Sequence, residues 1–331
     1  MHETFMRIRP VRLRSFAMLS GIWAGSLVCA GVFAQAEGAR SEEPAGEDVL
    51  RVCSDADNLP LANQRGEGYE NKIAEQLAHD LGRRLEYTYF PQRTGFVRNT
   101  LRLKDPETQQ FKCDVIIGVP TGYELTATTR PYLRSTYAIV FPDRPEFASI
   151  QTAEDLLKLP AETLRTLKIG VFGRSPGADW LLRNELLDRA VFYAPQSGDP
   201  HENPALIIER DLSAGKIDFA IVWGPVAGYL VRAHDASPAW RAATFSSDAN
   251  IKFDYEMSMG VRFGEKEWKE TLDRWIAAHQ PQLKEIFTTF RVPQLDESGK
   301  VTTGFSAREQ LRGDGSHEQV PLQLQSDSKS P

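Results

Sequence analysis

Asp114-Val115-Ile116-Ile117-Gly118-Val119 is an uninterrupted apolar run, and it predicts a strand that is buried on both faces of a sheet. Upstream of it, Val49–Cys53 and the alternating residues Leu85–Phe90 predict two further strands. Between those two strands, apolar residues recur at helical spacing over residues 73–81 and predict a helix. After the second of them, Phe96–Leu103 predicts another helix. Strand, helix, strand, helix, strand is the order of a parallel α/β unit.

The same alternation returns in the second half of the chain. It predicts strands at Leu167–Phe172, Ala190–Tyr193, Phe219–Trp223 and Met257–Arg262, and helices over 176–186, 205–214, from Pro225, over 268–276 and from Pro281. Because two such units occur and the chain returns at its end, we expect an α/β protein with two lobes. Each lobe is a sheet flanked by helices, and crossing hinge strands at Arg134–Phe141 and Met257–Arg262 join them.

The predicted organisation has four parts. Residues 1–36 form a signal peptide, residues 48–140 with 258–293 the first lobe, residues 141–257 the second lobe, and residues 294–331 a disordered C-terminal tail. The tail is assigned because the last part of the chain is rich in Gln, Ser, Gly, Asp and Pro and has little apolar periodicity.

The N-terminal segment has the order of features of a cleaved secretion signal. Four arginines precede residues 15–36, which carry no charge and end in Ala34-Gln35-Ala36, a small-x-small cleavage site. A transmembrane anchor is the competing interpretation, but glycines and serines lower the hydrophobicity of the stretch. We therefore expect cleavage, and a periplasmic protein that has no membrane span after it.

Net charge limits the classes of partner. The 331-residue chain has a formal net charge of −6, which becomes −9 without residues 1–36, because four Arg and one Glu are lost. Nucleic acids and anionic membranes are bound by basic surfaces. An acidic chain of this kind is therefore a poor candidate for either partner.

Two cysteines, Cys53 and Cys113, would remain after cleavage. In an oxidising compartment such a pair is either a disulfide or two buried thiols. We expect the disulfide, because the first and third predicted strands are neighbours in this fold and a bridge needs Cα atoms within about 7 Å of each other.

Catalytic motifs are absent from the sequence. The histidines have no metal-ligand spacing, and there is no Gly-x-Ser-x-Gly elbow, phosphate loop or Rossmann fingerprint. Asp55 and Asp57 are candidate ligands for a hard cation, but the calcium-loop pattern is missing and a solvated loop is favoured. We therefore expect no enzyme activity, no cofactor and no metal site.

Segments from both predicted lobes together resemble the type II periplasmic solute-binding proteins (solute-binding protein family 3). The segments are Leu50–Asp55, Gly68–Asn71, Cys113–Gly118, Lys168–Val171 and Leu212–Val222. The resemblance extends over residues 48–292 and implies the two-lobed fold of that superfamily.

A narrower resemblance is carried by Asn58-Leu59-Pro60, Pro91–Leu101 and Arg130–Tyr137. These stretches resemble the binding-protein-like J proteins of the MxaJ/XoxJ type, which are encoded beside methanol dehydrogenases that depend on pyrroloquinoline quinone (PQQ). The resemblance implies a quinoprotein-dehydrogenase-associated protein of methanol metabolism. It implies protein binding to the dehydrogenase, with its cytochrome as a further partner, and help with the maturation or activation of that enzyme. Calcium- and lanthanide-dependent dehydrogenases both have such partners.

The sequence departs from the amino-acid-binding members of the superfamily at both charge partners of the ligand. Those members place an Arg after the third strand, where a guanidinium grips the ligand carboxylate, but this chain has Pro120-Thr121-Gly122-Tyr123-Glu124 there. They also use an Asp after a late strand of the second lobe, where this chain has Trp223-Gly224-Pro225. Both departures argue against a free amino acid as the ligand.

Candidate cleft residues come from the loops beyond the carboxyl ends of the strands, where ligands of such folds lie, and from the J-protein-like segments. They are Asp55, Asn58, Leu59, Tyr69, Glu70, Arg93, Phe96, Arg98, Val119, Pro120, Thr121, Arg134, Ser175, Gly177, Trp223 and Gly224. Ser175 begins a helix whose free N–H groups could hold an anion, with an ordinary capped helix as the alternative. Surface ion pairing is the alternative for either Arg93 or Arg98, and partial burial is the alternative for Trp223.

These observations lead to three functional hypotheses. The first is an accessory protein that docks on a PQQ-dependent methanol dehydrogenase, which a large exposed apolar patch away from the cleft would favour. The alternative is an extracellular solute-binding receptor of an ABC importer for a small non-amino-acid ligand, which a filled cleft and ligand-driven lobe closure would favour. A lyase is the third, and it would need a cleft carboxylate or histidine with a strongly shifted pKa.

Overall fold

The structure, a computed structural model, describes residues 48–194, 203–236, 239–246 and 248–305. The predicted signal peptide and residues 306–331 of the predicted tail lie outside the described residues. Among the described residues, no helix combines the length and the apolar character that a membrane span requires.

The helices and strands predicted from the sequence occur in the expected order, together with additional elements. The helices are α1 (Tyr69–Asp80), α2 (Phe96–Asn99), α3 (Ala161–Thr166), α4 (Pro176–Arg183), α5 (Pro204–Ser213), α6 (Gly224–Ala233), α7 (Lys266–Ala278) and α8 (Gln280–Thr289). The strands are β1 (Val49–Ser54), β2 (Asp57–Asn58), β3 (Ala62–Asn63), β4 (Arg84–Tyr89), β5 (Val115–Pro120), β6 (Ala127–Thr128), β7 (Leu133–Pro142), β8 (Ile169–Phe172), β9 (Ala190–Tyr193), β10 (Phe219–Trp223), β11 (Trp240–Thr244), β12 (Asp254–Val261), β13 (Gln294–Leu295) and β14 (Val301–Thr303). The additional elements are α3, β2, β3, β6, β11, β13 and β14.

One mixed sheet runs through both lobes in the order β4-β1-β5-β12-β7-β10-β8-β9, with β6 beside β12 and β11 beside β7. In the first lobe β1 pairs in parallel with β4 and β5, and in the second lobe β8 pairs in parallel with β9 and β10. These are the two parallel units predicted from the alternation of apolar runs and amphipathic stretches.

Strand β7 belongs to both lobes. Its residues 133–136 pair with β12, whereas residues 137–142 pair with β10 and β11. β12 in turn pairs with β5 of the first lobe. β7 and β12 are therefore the crossing strands of the two-lobed fold.

The central strands of both lobes are buried on two faces, which explains their continuous apolar sequences. In β5, Val115 and Ile117 pack in the core of the first lobe with α1, whereas Ile116 and Val119 pack in a smaller cluster on the opposite face. β10 alternates in the same way between two clusters of the second lobe.

A disulfide joins Cys53 of β1 to Cys113, which lies two residues before β5, with their Cα atoms 5.4 Å apart. Cys53 is opposite Ile116 in the parallel pairing of β1 and β5, so the two strands bring the sulfur atoms together. Both cysteines are buried beside Phe96, Val97 and Leu101.

The helix predicted over Phe96–Leu103 is shorter than expected, since α2 ends at Asn99. Thr100 leaves helical geometry and its hydroxyl donates a hydrogen bond to the Phe96 carbonyl. The chain then turns so that Leu101 is fully buried beneath the disulfide. Packing against the disulfide therefore outweighs the local preference for a longer helix.

The predicted disordered tail is wrong for residues 294–305. β13 and β14 pair there as an antiparallel hairpin, and Phe305 is buried in the core of the second lobe. The polar composition of this segment predicts disorder, but contacts with β7 hold the hairpin, as described below. The lobe boundaries drawn from the sequence stay a prediction.

Candidate functional site

The loop after β1 is tied to the loop after β4. The Asp55 carboxylate accepts hydrogen bonds from the backbone N–H groups of Asp57, at 3.0 Å, and Gln92, at 2.6 Å. The Asn58 amide donates to Gln92 Oε1 at 2.8 Å. Both oxygens of Asp55 are thus engaged in shaping the loop, which supports the solvated-loop interpretation over a cation site.

A hydrogen bond links this loop to the second lobe. The Asn203 amide, at the N-cap of α5, donates to Asp57 Oδ1 at 3.4 Å. Asn203 also caps α5 by accepting from the Ala205 N–H. No pattern in the sequence predicts the contact between Asp57 and Asn203, because it depends on how the lobes face each other.

Glu70, the second residue of α1, has its carboxyl group against the backbone of β5. A Cβ atom on Gly118 would lie 2.1 Å from Glu70 Oε1, so the carboxyl group fills the space that a side chain would need. Oε1 is buried and has no hydrogen-bond partner among the described residues. Burial raises the pKa of Glu70 to about 8, and the nearby Asp55 carboxylate adds to the rise.

Three of the candidate residues line one cavity of about 530 Å³ beside the crossing strands. They are Pro120, Thr121 and Arg134, and the cavity is completed by Gly122, Tyr123, Glu124, Lys252, Asp254, Tyr255 and Glu256. Thr121 is held to β12 by a 2.8 Å hydrogen bond between its hydroxyl and that of Ser258. The structure thus brings the loop after β5 and the start of β12 together as the walls of a site.

The guanidinium of Arg134 is fully engaged inside the protein. Its Nε and Nη2 donate to Asp254 Oδ2 at 3.0 and 2.6 Å, and its Nη1 donates to the carbonyls of Asp296 and Glu297. Arg134 therefore does not offer a free fork of donors to a ligand carboxylate. Glu124, Glu256 and Lys252 also line the cavity, so side chains of both charges face it.

Three aromatic side chains meet where the lobes join. The Trp223 ring lies 5.4 Å from that of Tyr137 and 5.9 Å from that of Tyr255, measured between centroids and with edge-to-face geometry. Tyr255 also lines the cavity, so the trio extends its wall toward the second lobe. Burial raises the pKa of Tyr137 to about 12, and burial also raises the pKa of Tyr255. Both phenols are therefore neutral at physiological pH.

Several candidate cleft residues are core residues instead. Tyr69 is buried and packs edge-on against Phe287 and Phe290. Phe96 and Val119 are buried in the cluster around the disulfide. The structure places these three side chains in the core. The sequence did not reveal which side faces the cleft, because adjacent positions point to opposite sides of a strand and to different sides of a helix.

The candidate glycines and Ser175 have packing and capping roles. A Cβ on Gly177 would lie 2.4 Å from Ile221 Cγ2, and one on Gly224 would lie 2.3 Å from the Thr136 carbonyl oxygen. Both glycines are therefore needed for close packing rather than for approach to a ligand. Ser175 caps α4 by accepting from the Ala178 N–H at 3.4 Å, which is the ordinary capped helix.

The remaining candidates lie at the surface or at loop positions. Arg93 and Arg98 are exposed, and the Arg93 guanidinium lies 5.8 Å from the centroid of the Phe90 ring. Leu59 is half-buried and precedes Pro60 through a cis peptide bond.

The candidate cleft residues inferred from the sequence did not include Gln92, Tyr137 or Tyr255. Gln92 and Tyr137 lie within the J-protein-like segments, so the signal was present for them. Tyr255 carries no such signal, since its place beside Trp223 depends on how β12 and β10 flank β7. Within the described parts of the chain, no group of three or more His, Cys, Asp or Glu side chains could hold a metal ion.

The chain is similar to known proteins over most of its length. Proteins named MoxJ from Paracoccus denitrificans and Methylorubrum extorquens are each 26% identical to it, over 267 and 302 residues respectively. These matches cover 75% and 85% of this chain and 90% and 95% of those proteins. No family model matches the chain.

A solved structure gives the strongest basis for assigning the family. The periplasmic binding protein XoxJ from Methylobacterium extorquens AM1 is 32% identical, and the match covers 75% of this chain and 100% of that one, with a TM-score of 0.59. The predicted two-lobed periplasmic-binding-protein fold is thereby confirmed. Since the identity extends over the whole of that structure, the chain belongs to the MoxJ/XoxJ family of periplasmic binding proteins.

Proposed function

We propose that this protein is a periplasmic accessory protein of methanol oxidation that binds a PQQ-dependent methanol dehydrogenase and assists its maturation or activation. The observation that carries the proposal is membership of the MoxJ/XoxJ family over the whole length of a solved member. The J-protein-like segments of the sequence imply the dehydrogenase as the partner. The secretion signal predicted for residues 1–36 supports a periplasmic location.

The arrangement around the cavity supports a role other than amino-acid capture. Arg134, the arginine nearest the cavity, is held by Asp254 and by two carbonyl groups. Glu124 lines the cavity close to the position where amino-acid receptors carry their carboxylate-binding arginine. The cavity therefore offers no free guanidinium to a ligand carboxylate, and Lys252 is its other cationic side chain.

An exposed apolar surface on the first lobe supports docking. We call it the Phe263 patch, and it consists of Leu125 and Phe263 around Arg102. Phe263 is 61% exposed, and the Arg102 guanidinium lies 5.8 Å from its ring centroid while donating to the Leu125 carbonyl. Aromatic residues and arginine are enriched among the residues that dominate protein–protein binding energy. We propose that this patch contacts the dehydrogenase.

A pull-down with the mature protein, residues 37–331, as bait from periplasmic extract of methanol-grown cells tests the proposal. We expect mass spectrometry to identify a quinoprotein methanol dehydrogenase, with or without its cytochrome, among the retained proteins. Binding of the purified dehydrogenase to the immobilised protein is then measured directly. Failure of both the apo and the loaded dehydrogenase to bind would contradict the proposal.

Replacing Phe263 with serine is expected to weaken binding of the dehydrogenase about tenfold or more, because truncation of a central aromatic contact removes a large share of the binding energy. The matched control is Phe192→Ser, which removes a ring that is 55% exposed on the second lobe. Affinity is measured by surface plasmon resonance on both variants. An equal affinity for the wild type and Phe263→Ser would exclude the Phe263 patch as the contact surface.

The cavity of about 530 Å³ favours a second candidate, a solute receptor for a small non-amino-acid ligand. Its volume lies in the range of small-molecule sites, and the Tyr255 ring gives it an apolar wall. If no protein is retained while a small-molecule fraction of the same extract raises the melting temperature, the receptor replaces the accessory protein as the proposed function.

A lyase is not supported by the geometry. Glu70 has the raised pKa expected of a general acid, but the residue is 8% exposed and its carboxyl group lies against the β5 backbone at Gly118. Glu70 does not line the cavity of about 530 Å³. The proposed role is therefore binding without catalysis.

A further inference from the structure

The segment after α8 contacts both lobes and the strand that joins them. We call residues 289–305 the C-terminal strap. Val292 is buried in the core of the first lobe, whereas Phe305 is buried in the core of the second. A short stretch of chain therefore has an apolar side chain inserted in each lobe.

Helix α6 of the second lobe packs directly on the backbone of the strap. A Cβ on Gly228 would lie 2.1 Å from the Arg291 carbonyl oxygen, and one on Gly224 would lie 2.5 Å from Pro293 Cγ. Only glycine permits this approach, because any side chain would separate the helix from the strap. Closely packed surfaces of this kind do not slide without breaking their contacts.

Two arginines add polar contacts at the same boundary. Arg291 of the strap donates to both carboxylate oxygens of Asp235, at 3.0 and 2.5 Å, just after α6. Arg232 of α6 donates to the Thr289 carbonyl at 3.2 Å and lies 5.1 Å from the centroid of the Phe290 ring. The end of α6 is thus held to the end of α8.

The strap is also bonded to the crossing strand β7. The Ser135 hydroxyl donates to the Pro293 carbonyl at 2.6 Å in a buried position, and Arg134 donates to the carbonyls of Asp296 and Glu297. A hinge rotation of the lobes changes the backbone angles of the crossing strands. Such a rotation would have to break these bonds together with the α6 contacts.

We infer that the C-terminal strap clamps the two lobes in one relative orientation, so that the cleft does not open and close around a solute. The protein would then present a surface that is formed by both lobes and has a constant geometry. This inference concerns this chain alone and is independent of which partner the protein binds.

Distances between spin labels on the two lobes test the inference. Labels are attached at Glu107→Cys in the first lobe and Leu182→Cys in the second, both exposed positions, with the native disulfide intact. We expect a single narrow distance distribution for the otherwise unaltered protein, and no shift after addition of the small-molecule fraction of a periplasmic extract. A broad or two-population distribution, or a shift on addition of that fraction, would overturn the inference.

Weakening the strap is expected to release the lobes. Two variants are made in the labelled protein, Arg134→Ala with Arg291→Ala, and Gly228→Ala alone. Each variant is expected to add a second, displaced distance population. The control is Arg98→Ala with Arg183→Ala, which removes two exposed arginines away from the strap and is expected to leave the distance distribution unchanged. Circular dichroism establishes that each variant is folded. If Gly228→Ala does not fold, the arginine pair decides, and a distribution as narrow as that of the parent would refute the clamp.

Discussion

Replacing both Cys53 and Cys113 with alanine is expected to lower the free energy of unfolding by about 4 kcal/mol. The bridge closes a loop with a sequence separation of 60 residues, and the loss of chain entropy in the unfolded state stabilises a protein by about that amount for a loop of this length. Both cysteines are buried beside Phe96 and Leu101, so the variant also loses packed sulfur atoms. Urea unfolding monitored by tryptophan fluorescence gives the change.

The wild-type protein under reducing conditions serves as the control, because it loses the cross-link but keeps both sulfur atoms. The loss of unfolding free energy in the alanine variant is expected to equal that of the reduced wild type plus the packing contribution of the two sulfur atoms. A thiol titration of unfolded, unreduced residues 37–331 is expected to find no free thiols. Two free thiols would show that the bridge is absent from the purified protein.

Replacing Glu70 with glutamine is expected to stabilise the protein at neutral pH by about 3 kcal/mol. The folded protein holds the carboxyl group protonated, because burial raises the pKa of Glu70 to about 8, whereas the group ionises near pH 4.5 in the unfolded chain. Each pH unit above the unfolded-state pKa lowers the free energy of unfolding by about 1.4 kcal/mol, up to the folded-state pKa. About two and a half pH units separate pH 4.5 from pH 7. Glutamine has the same shape and no proton to lose.

The sign of the pH dependence follows from the direction of this shift. Below about pH 4.5 the carboxyl group is protonated in both states and has no effect on the free energy of unfolding. From there to about pH 8 the unfolded state loses the proton while the folded state keeps it, so stability falls as the pH rises. Above about pH 8 the penalty is complete and constant. Glu70→Gln is therefore expected to remove this fall.

Urea unfolding of the wild type and Glu70→Gln at several values between pH 5 and pH 9 measures the difference. The matched control is Glu75→Gln, an exposed residue of the same helix, which is expected to follow the wild-type curve. A difference between the wild type and Glu70→Gln that does not grow with pH would show that the Glu70 carboxyl group is not protonated in the folded protein.

The two parallel units and the two-lobed organisation were predictable from the sequence, because buried parallel strands have a local signature. Val115–Val119 and Phe219–Trp223 are continuous apolar runs that both faces of the sheet bury. The J-protein-like segments also indicated the family, since they include polar residues such as Gln92 that core packing does not require. These features are carried by short stretches of chain and need no knowledge of distant contacts.

The site was less predictable, because the face of an element that meets the cleft is set by packing. Tyr69 and Glu70 are neighbours in sequence, yet the tyrosine packs on Phe287 while the carboxyl group lies against Gly118. Arg134 had the charge expected of a ligand-binding residue, but Asp254 is brought to it by the pairing of β12 with β7. Such pairings join residues far apart in the chain.

Sequence alone determined the longer strands of both parallel units, most of the helices and the family, because periodicity and turn residues act over a few positions. Only the tertiary structure decided that residues 294–305 are ordered. Their polar composition cannot bury enough apolar surface to fold alone, but Phe305 enters a core built by α5, α6 and β10, and Ser135 and Arg134 bond the carbonyls of the strap. The contacts that hold the strap come from residues more than 50 positions away, so no local sequence pattern could predict them.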